Sequence, residues 1–202
     1  MNISDTAIPM TWTGPFSWPG YEDKNHLPAI PSGHGVYIWT AEYKDGYILY
    51  LAGYTRAGFL KRLKAHTTCY KKGEYNILDI DDMSNGIRNQ IWHGWRERPT
   101  SSPQRMQEWL SRQDELQPVI ERQLTGYRVF LADLQEHQNN TPNVHGRLEG
   151  AVMRSLAKQP PPLCDIMDKG MALQFRKKSQ DPVLIKNICD HKIHGLPESM
   201  TI

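Results

Sequence analysis

The chain has 202 residues, with 24 lysines and arginines against 22 aspartates and glutamates, for a formal net charge of +2. So small an excess excludes a single-sign field over the whole molecule, and any attraction to a polyanion has to be local. A hydrophobic fraction of 39% suits one domain with one core, and three widely spaced cysteines (Cys69, Cys164, Cys189) exclude a disulfide scaffold.

The first residues carry neither a basic n-region nor an apolar h-region, and no run approaches the roughly 18 apolar residues of a membrane span. A cytoplasmic protein with reduced thiols is therefore expected, with no membrane partner. Residues 1–32 are rich in proline, glycine and tryptophan (Pro9, Pro15, Pro19, Trp12, Trp18) and read as an irregular arm packing its aromatics on the core. Residues 36–40 and 47–51 are β-branched and aromatic and bracket a Lys44-Asp45-Gly46 turn, which predicts a hairpin. Residues 59–66 follow as a helix with Phe59 and Leu63 on its apolar stripe, Lys61, Arg62, Lys64 and His66 falling largely off it. Residues 75–80 suit a short strand.

From 86 to 126 the composition turns to arginine, tryptophan and glutamine, reading as a helical insertion. Helices are predicted over 87–96 and 103–124, split at Pro99 to Pro103. Residues 127–134 read as a strand returning to the sheet and 135–142 as a polar loop. Thr141 and Pro142 suit the cap and start of a helix to about residue 157, which Pro160, Pro161 and Pro162 must end. The tail adds a strand near 183–188.

Between Thr55 and Lys72 stand six basic residues (Arg56, Lys61, Arg62, Lys64, Lys71, Lys72) and no acidic one. Such a run suits a phosphate backbone, although a solvated helix face has the same composition. Arg62 and His66 lie at i and i+4 and emerge on one side of the helix. Tyr37 and Tyr50 occupy the two hairpin strands, where cross-strand phenols meet if the register aligns them; plain aromatic packing is the alternative. Glu149 sits on the helix expected from Thr141-Pro142 to about residue 157, and one carboxylate suffices for a hard cation that keeps most of its waters. Cys189, His191 and His194, with distant Cys164, offer a zinc site of unfamiliar spacing.

Gly35-Val36-Tyr37, then Tyr50-Leu51-Ala52, Arg62, His66, and Glu149 ahead of a proline break together resemble the GIY-YIG nuclease superfamily over residues 33–165. The resemblance implies a small α/β (α+β) domain with a three-stranded antiparallel sheet flanked by helices, to which the insertion and the N-terminal arm are added. It also implies phosphodiester hydrolysis with one Mg²⁺ or Mn²⁺ per active site, held by Glu149. By the same token Tyr37 is the general base and His66 its partner, with the exchange of those roles open; Tyr50 orients water or phosphate, and Arg62 grips a phosphoryl oxygen. The second triplet departs from the family's Tyr-Ile-Gly, and its usual asparagine after the proline has no match in Leu163-Cys164-Asp165. A free phenol ionises only near pH ~10, so a tyrosine base needs help from its neighbours.

Residues 86–128 hold seven arginines, no lysine and three tryptophans. Arg88, Arg96 and Arg98 are accordingly expected to touch nucleic acid along with Arg56, Lys61, Lys64, Lys71 and Lys72, the insertion serving DNA recognition, dimerisation or simply packing. The expected activity is that of a site-specific type II restriction endonuclease on double-stranded DNA, acting as a homodimer or by sequential nicking because two strands must be cut. A structure-specific or mobile-element nuclease and a non-catalytic nucleic-acid-binding module are the alternatives.

Overall fold

Alternating burial begins earlier than expected, inside the proline-rich start. In the computed structural model, which describes residues 7–95, 103–132, 141–169 and 173–202, Ile8–Ser17 form strand β1. Met10 and Trp12 are buried, with exposed Pro9, Thr11 and Thr13 around them. The expected irregular arm over 1–32 thus holds an inner strand over residues 8–17, while residues 18–34 are irregular apart from a short helix α1 (Glu22–Asn25). Two prolines concealed it. The first half of β1 pairs in parallel with Leu184–Cys189 near the C-terminus, from Ile8↔Ile185 to Trp12↔Cys189, and the second half pairs antiparallel with Arg128–Ala132. A strand paired on one side at a time tolerates a proline, and Gly14-Pro15 fall in the bulge between Thr13 and Phe16.

The expected hairpin forms from β2 (Gly35–Tyr43) and β3 (Gly46–Thr55), closed by Lys44 and Asp45 with Lys44 left-handed at φ +50°. Next come α2 (Phe59–Lys71), the two-residue strand β4 (Ile77–Leu78), α3 (Ile80–Ser84), β5 (Gln90–Trp92) and the 24-residue α4 (Pro103–Gly126). Then follow β6 (Arg128–Ala132), α5 (Val144–Ala157), α6 (Leu163–Ile166), β7 (Leu184–Cys189), β8 (Ile193–His194) and β9 (Ser199–Thr201).

The main sheet runs β8-β3-β2-β6-β1-β7-β9 and is mixed and curled, with a separate β4-β5 ribbon. This overturns the small three-stranded sheet implied by the resemblance. The antiparallel trio β3-β2-β6 exists, but as the middle of a seven-stranded sheet. β1, β7 and β9 cover the outer edge of β6, and β8 covers that of β3, so neither edge of the trio is left to pair elsewhere.

Both faces are covered, and for that reason β2 is buried almost continuously rather than alternately. Tyr37, Trp39 and Ala41 enter one core with α2, α3 and α4, while Val36 and Ile38 enter the other with α5 and β7. The helix expected over 87–96 is instead β5 and its flanks. Gly94 passes so near the chain that a Cβ there would lie 2.4 Å from the Glu74 carbonyl oxygen, and Trp92 donates to the Gly73 carbonyl at 2.8 Å. The second helix is present as α4, whose Trp109, Leu116, Ile120 and Leu124 are buried, so this part of the insertion is a core layer. α2 continues five residues beyond 66, and its buried face is Phe59, Leu63, His66 and Tyr70, which puts His66 on the apolar stripe rather than off it. α5 begins at Val144 after a left-handed Asn143 instead of at a Thr141 cap. No helix among the described residues is long and apolar enough to cross a membrane.

Candidate active site

Strand register decides which phenols can share a site. Tyr37 pairs with Gly53, Ile38 with Ala52 and Trp39 with Leu51; the ladder then slips, and Thr40 pairs with Leu49. Tyr50 is therefore the extra residue of a bulge, three positions along β3 from Gly53, or ~10 Å at strand spacing. Its ring stacks on Tyr127 at 5.8 Å and 18°, deep in the α4-side core. The direct cross-strand neighbour of Tyr37 is thus Gly53, and Tyr50 is offset from it along β3. The small residue that Tyr37 needs is Gly53, one beyond the Tyr-Leu-Ala triplet: a Cβ there would sit 2.5 Å from the Tyr37 hydroxyl oxygen.

Tyr37 meets instead two residues of α2. Its hydroxyl lies 2.9 Å from Nε2 of His66 and accepts from Nε of Arg62 at 3.4 Å. The i, i+4 spacing delivers both groups to one phenol, with the imidazole buried and the arginine reaching in from the exposed side. Trp39 closes the pocket, stacking on Tyr37 at 6.0 Å and presenting its face edge-on to His66 at 4.8 Å.

A residue with no expected site role completes the row. Tyr75 places its hydroxyl 2.9 Å from Nδ1 of His66 and sets its ring edge-to-face on Tyr70 at 5.2 Å. The turn after α2 makes this possible. Gly73 takes φ +70°, its N–H bonds the Tyr70 carbonyl, and Glu74 N–H reaches back to Cys69. A glycine closing a helix signals chain reversal, and the next aromatic then folds back over the stripe the helix has just buried; that was the available signal.

Burial dominates the electrostatics. It pushes the Tyr37 phenol up to about 12, against a smaller opposing pull from Arg62, and Glu149 adds to the rise. Burial likewise raises the Glu149 carboxyl to about 7, which Arg62 partly offsets. The three groups are thus within electrostatic reach of one another, with Glu149 arriving from α5 on the opposite face of the sheet.

The divalent ion implied by the resemblance fits this carboxylate. Glu149 is half-buried, its charge is disfavoured, and among the described residues it makes no hydrogen bond or ion pair, so a cation would discharge the penalty. Among the described residues no three His, Cys, Asp or Glu side chains converge, so an ion here relies on one carboxylate, water and substrate oxygens, a set suited to Mg²⁺ or Mn²⁺. Among the described residues the two terminal nitrogens of Arg62 make no hydrogen bond, leaving its fork for an anion.

Arg56, Lys61, Lys64, Lys71 and Lys72 are all exposed, on or flanking α2. Arg88 is not available in the same way: its guanidinium bonds the carbonyls of Ile166 and Met167 at 2.8 and 2.9 Å, and also Gln90. It fastens α6 to the ribbon instead of facing solvent. Arg96 and Arg98 lie outside the described residues. The zinc alternative does not assemble: His194 bonds Asp45 at 2.9 Å, His191 packs on Tyr47 and Phe130, and Cys164 is on α6. Asp165, in the stretch where the resemblance expects an asparagine, is exposed and near Lys169.

The sequence matches no protein-family model, and no curated protein or solved structure is similar to it at a significant level.

Proposed function

We propose that the protein is a metal-dependent endonuclease on double-stranded DNA, of the site-specific restriction type, and that its site is of the GIY-YIG kind. The observation that carries this reading is the convergence of Arg62 and His66 on the hydroxyl of Tyr37, with Glu149 in electrostatic reach.

Water attacks the phosphorus in line, and its proton must leave as the bond forms. Tyr37 cannot wait as a phenolate, because burial holds its proton to about pH 12. A relay avoids the charged intermediate: Tyr37 takes the proton of water as it gives its own to Nε2 of His66. Arg62 offers its terminal nitrogens to a non-bridging oxygen, where charge builds in the transition state. Glu149 would hold a divalent ion, which when bound would supply charge neutralisation for the phosphoryl chemistry. The exposed lysines of α2 track the backbone on either side, and since one site cuts one strand, double-strand cleavage requires a dimer or two successive nicks.

The test is incubation of supercoiled plasmid with the protein and Mg²⁺, with Glu149→Gln and Tyr37→Phe as controls. Discrete fragments from the wild type alone support the reading. Selective cutting of branched DNA would transfer it to a structure-specific nuclease, and binding without any cutting would refute the enzyme.

A further inference from the structure

The row Arg62, Tyr37, His66, Tyr75 contains donors and acceptors whose directions can be deduced. Arg62 only donates, so it fills a lone pair of the Tyr37 oxygen. Tyr37 is 1% exposed, and among the described residues its hydroxyl has one other partner, Nε2 of His66. An O–H buried there and aimed elsewhere would lack an acceptor, which is costly, so the Tyr37 proton points at Nε2. With Nε2 accepting, the neutral ring carries its hydrogen on Nδ1, 2.9 Å from the Tyr75 oxygen.

We propose that Tyr75 is a positioning residue for proton transfer: its oxygen accepts from Nδ1–H of His66, fixes that tautomer, and thereby keeps Nε2 as the acceptor for the Tyr37 proton. The catalytic part of this inference rests on the nuclease reading; the tautomer does not. As water attacks, its proton passes to the Tyr37 oxygen and the Tyr37 proton passes to Nε2, while the departing 3′-oxygen takes a proton from solvent. His66 is then an imidazolium whose Nδ1–H remains on Tyr75, and it returns the proton to water after product leaves. The groups facing the ring include Tyr37 from β2, Arg62 one turn earlier on α2, Tyr75 from the turn after Gly73, and the edge-on face of Trp39; Glu149 acts at longer range through Arg62. A phenol suits the place, because it accepts the hydrogen without adding a second negative charge beside Glu149.

The experiment combines ring ¹⁵N spectra of histidine-labelled protein with cleavage kinetics. The chain has eight histidines, and a His66→Gln sample assigns the signal. At a pH where the ring is neutral, the wild type is expected to show hydrogen on Nδ1 and an unprotonated Nε2. Tyr75→Phe keeps the ring on Tyr70 and removes only the oxygen. It should shift the ring away from the Nδ1–H form and lower kcat about tenfold, the size of one lost hydrogen bond to a charged ring, with KM for DNA unchanged. A wild-type ring protonated on Nε2 overturns the proposal without involving any substrate, as does a Tyr75→Phe enzyme with wild-type kcat. Absence of all DNA cleavage by the wild type overturns the relay through the nuclease reading, and the ring spectrum then reports separately whether the hydrogen-bond assignment was right.

Discussion

Replacing Gly53 by alanine tests the site more sharply than removing a reactive group, because every functional group is retained and only the position of Tyr37 changes. The added Cβ would lie 2.5 Å from the Tyr37 hydroxyl oxygen and 2.7 Å from a ring carbon, where ordinary contact begins at 3.4 Å. Something must move by roughly 1 Å, and the phenol cannot slide freely because Trp39 stacks along it at 6.0 Å. A 1 Å displacement stretches the 2.9 Å bond to His66 and the 3.4 Å bond from Arg62 beyond useful length. Overpacking of this kind costs about 1–3 kcal/mol, and the two weakened hydrogen bonds add about 1 kcal/mol each. Cleavage should fall more steeply than stability, on the order of a hundredfold, since misplacing a reacting group by ~1 Å has that effect. Urea unfolding and plasmid cleavage of Gly53→Ala measure both quantities. A variant with wild-type stability and wild-type cutting would show that the phenol does not lie over Gly53, and the assignment of Tyr37 would fail with it.

Glu149→Gln should abolish cleavage yet stabilise the metal-free protein at neutral and higher pH. The sign follows from the raised carboxyl: between its ordinary value of 4.5 and about 7 the folded state holds more protons than the unfolded one, so stability falls as pH rises through that window. The variant should lose this slope in a urea series run across pH, and Mg²⁺ should raise the thermal midpoint of the wild type above pH 7 but not that of the variant. Arg88→Ala should cost about 1–3 kcal/mol in denaturant unfolding, since it unpairs the Ile166 and Met167 carbonyls. Lys61→Ala with Lys64→Ala should leave stability alone and weaken DNA binding, lowering the salt slope by roughly 1 per lysine in a binding titration. Trp109→Ala should destabilise the fold by about 3–5 kcal/mol, because the ring is buried against Gly73 and Trp92; a mild effect would return α4 to the status of a detachable arm.

Local features were legible wherever the chain carries its own instruction. The Lys44-Asp45 turn, the helix starting at Phe59 and the long helix opening at Pro103 all announce themselves through turn chemistry or periodicity. The i, i+4 relation of Arg62 to His66 was equally readable, since a helix of either burial delivers both to one side. The offset of Tyr50 from the position opposite Tyr37 was not legible, because a bulge leaves no mark in the residues that form it; the slip between Trp39 and Thr40 exists only against the partner strand. Residues 8–17 were missed because their prolines are tolerated only where the neighbouring strands leave one side unpaired, and those neighbours lie more than a hundred residues away.

By itself the sequence determined the hairpin, the basic helix and the phenol, guanidinium, imidazole and carboxylate from which a phosphodiester site can be built, because each depends on spacing along the chain. Only the tertiary structure decided that the three-stranded core would grow to seven strands, that Gly53 rather than Ala52 lies under Tyr37, and that Tyr75 reaches His66. Those outcomes follow from strand register and chain reversal, which fix distances between residues far apart in sequence and are written in no single segment of it.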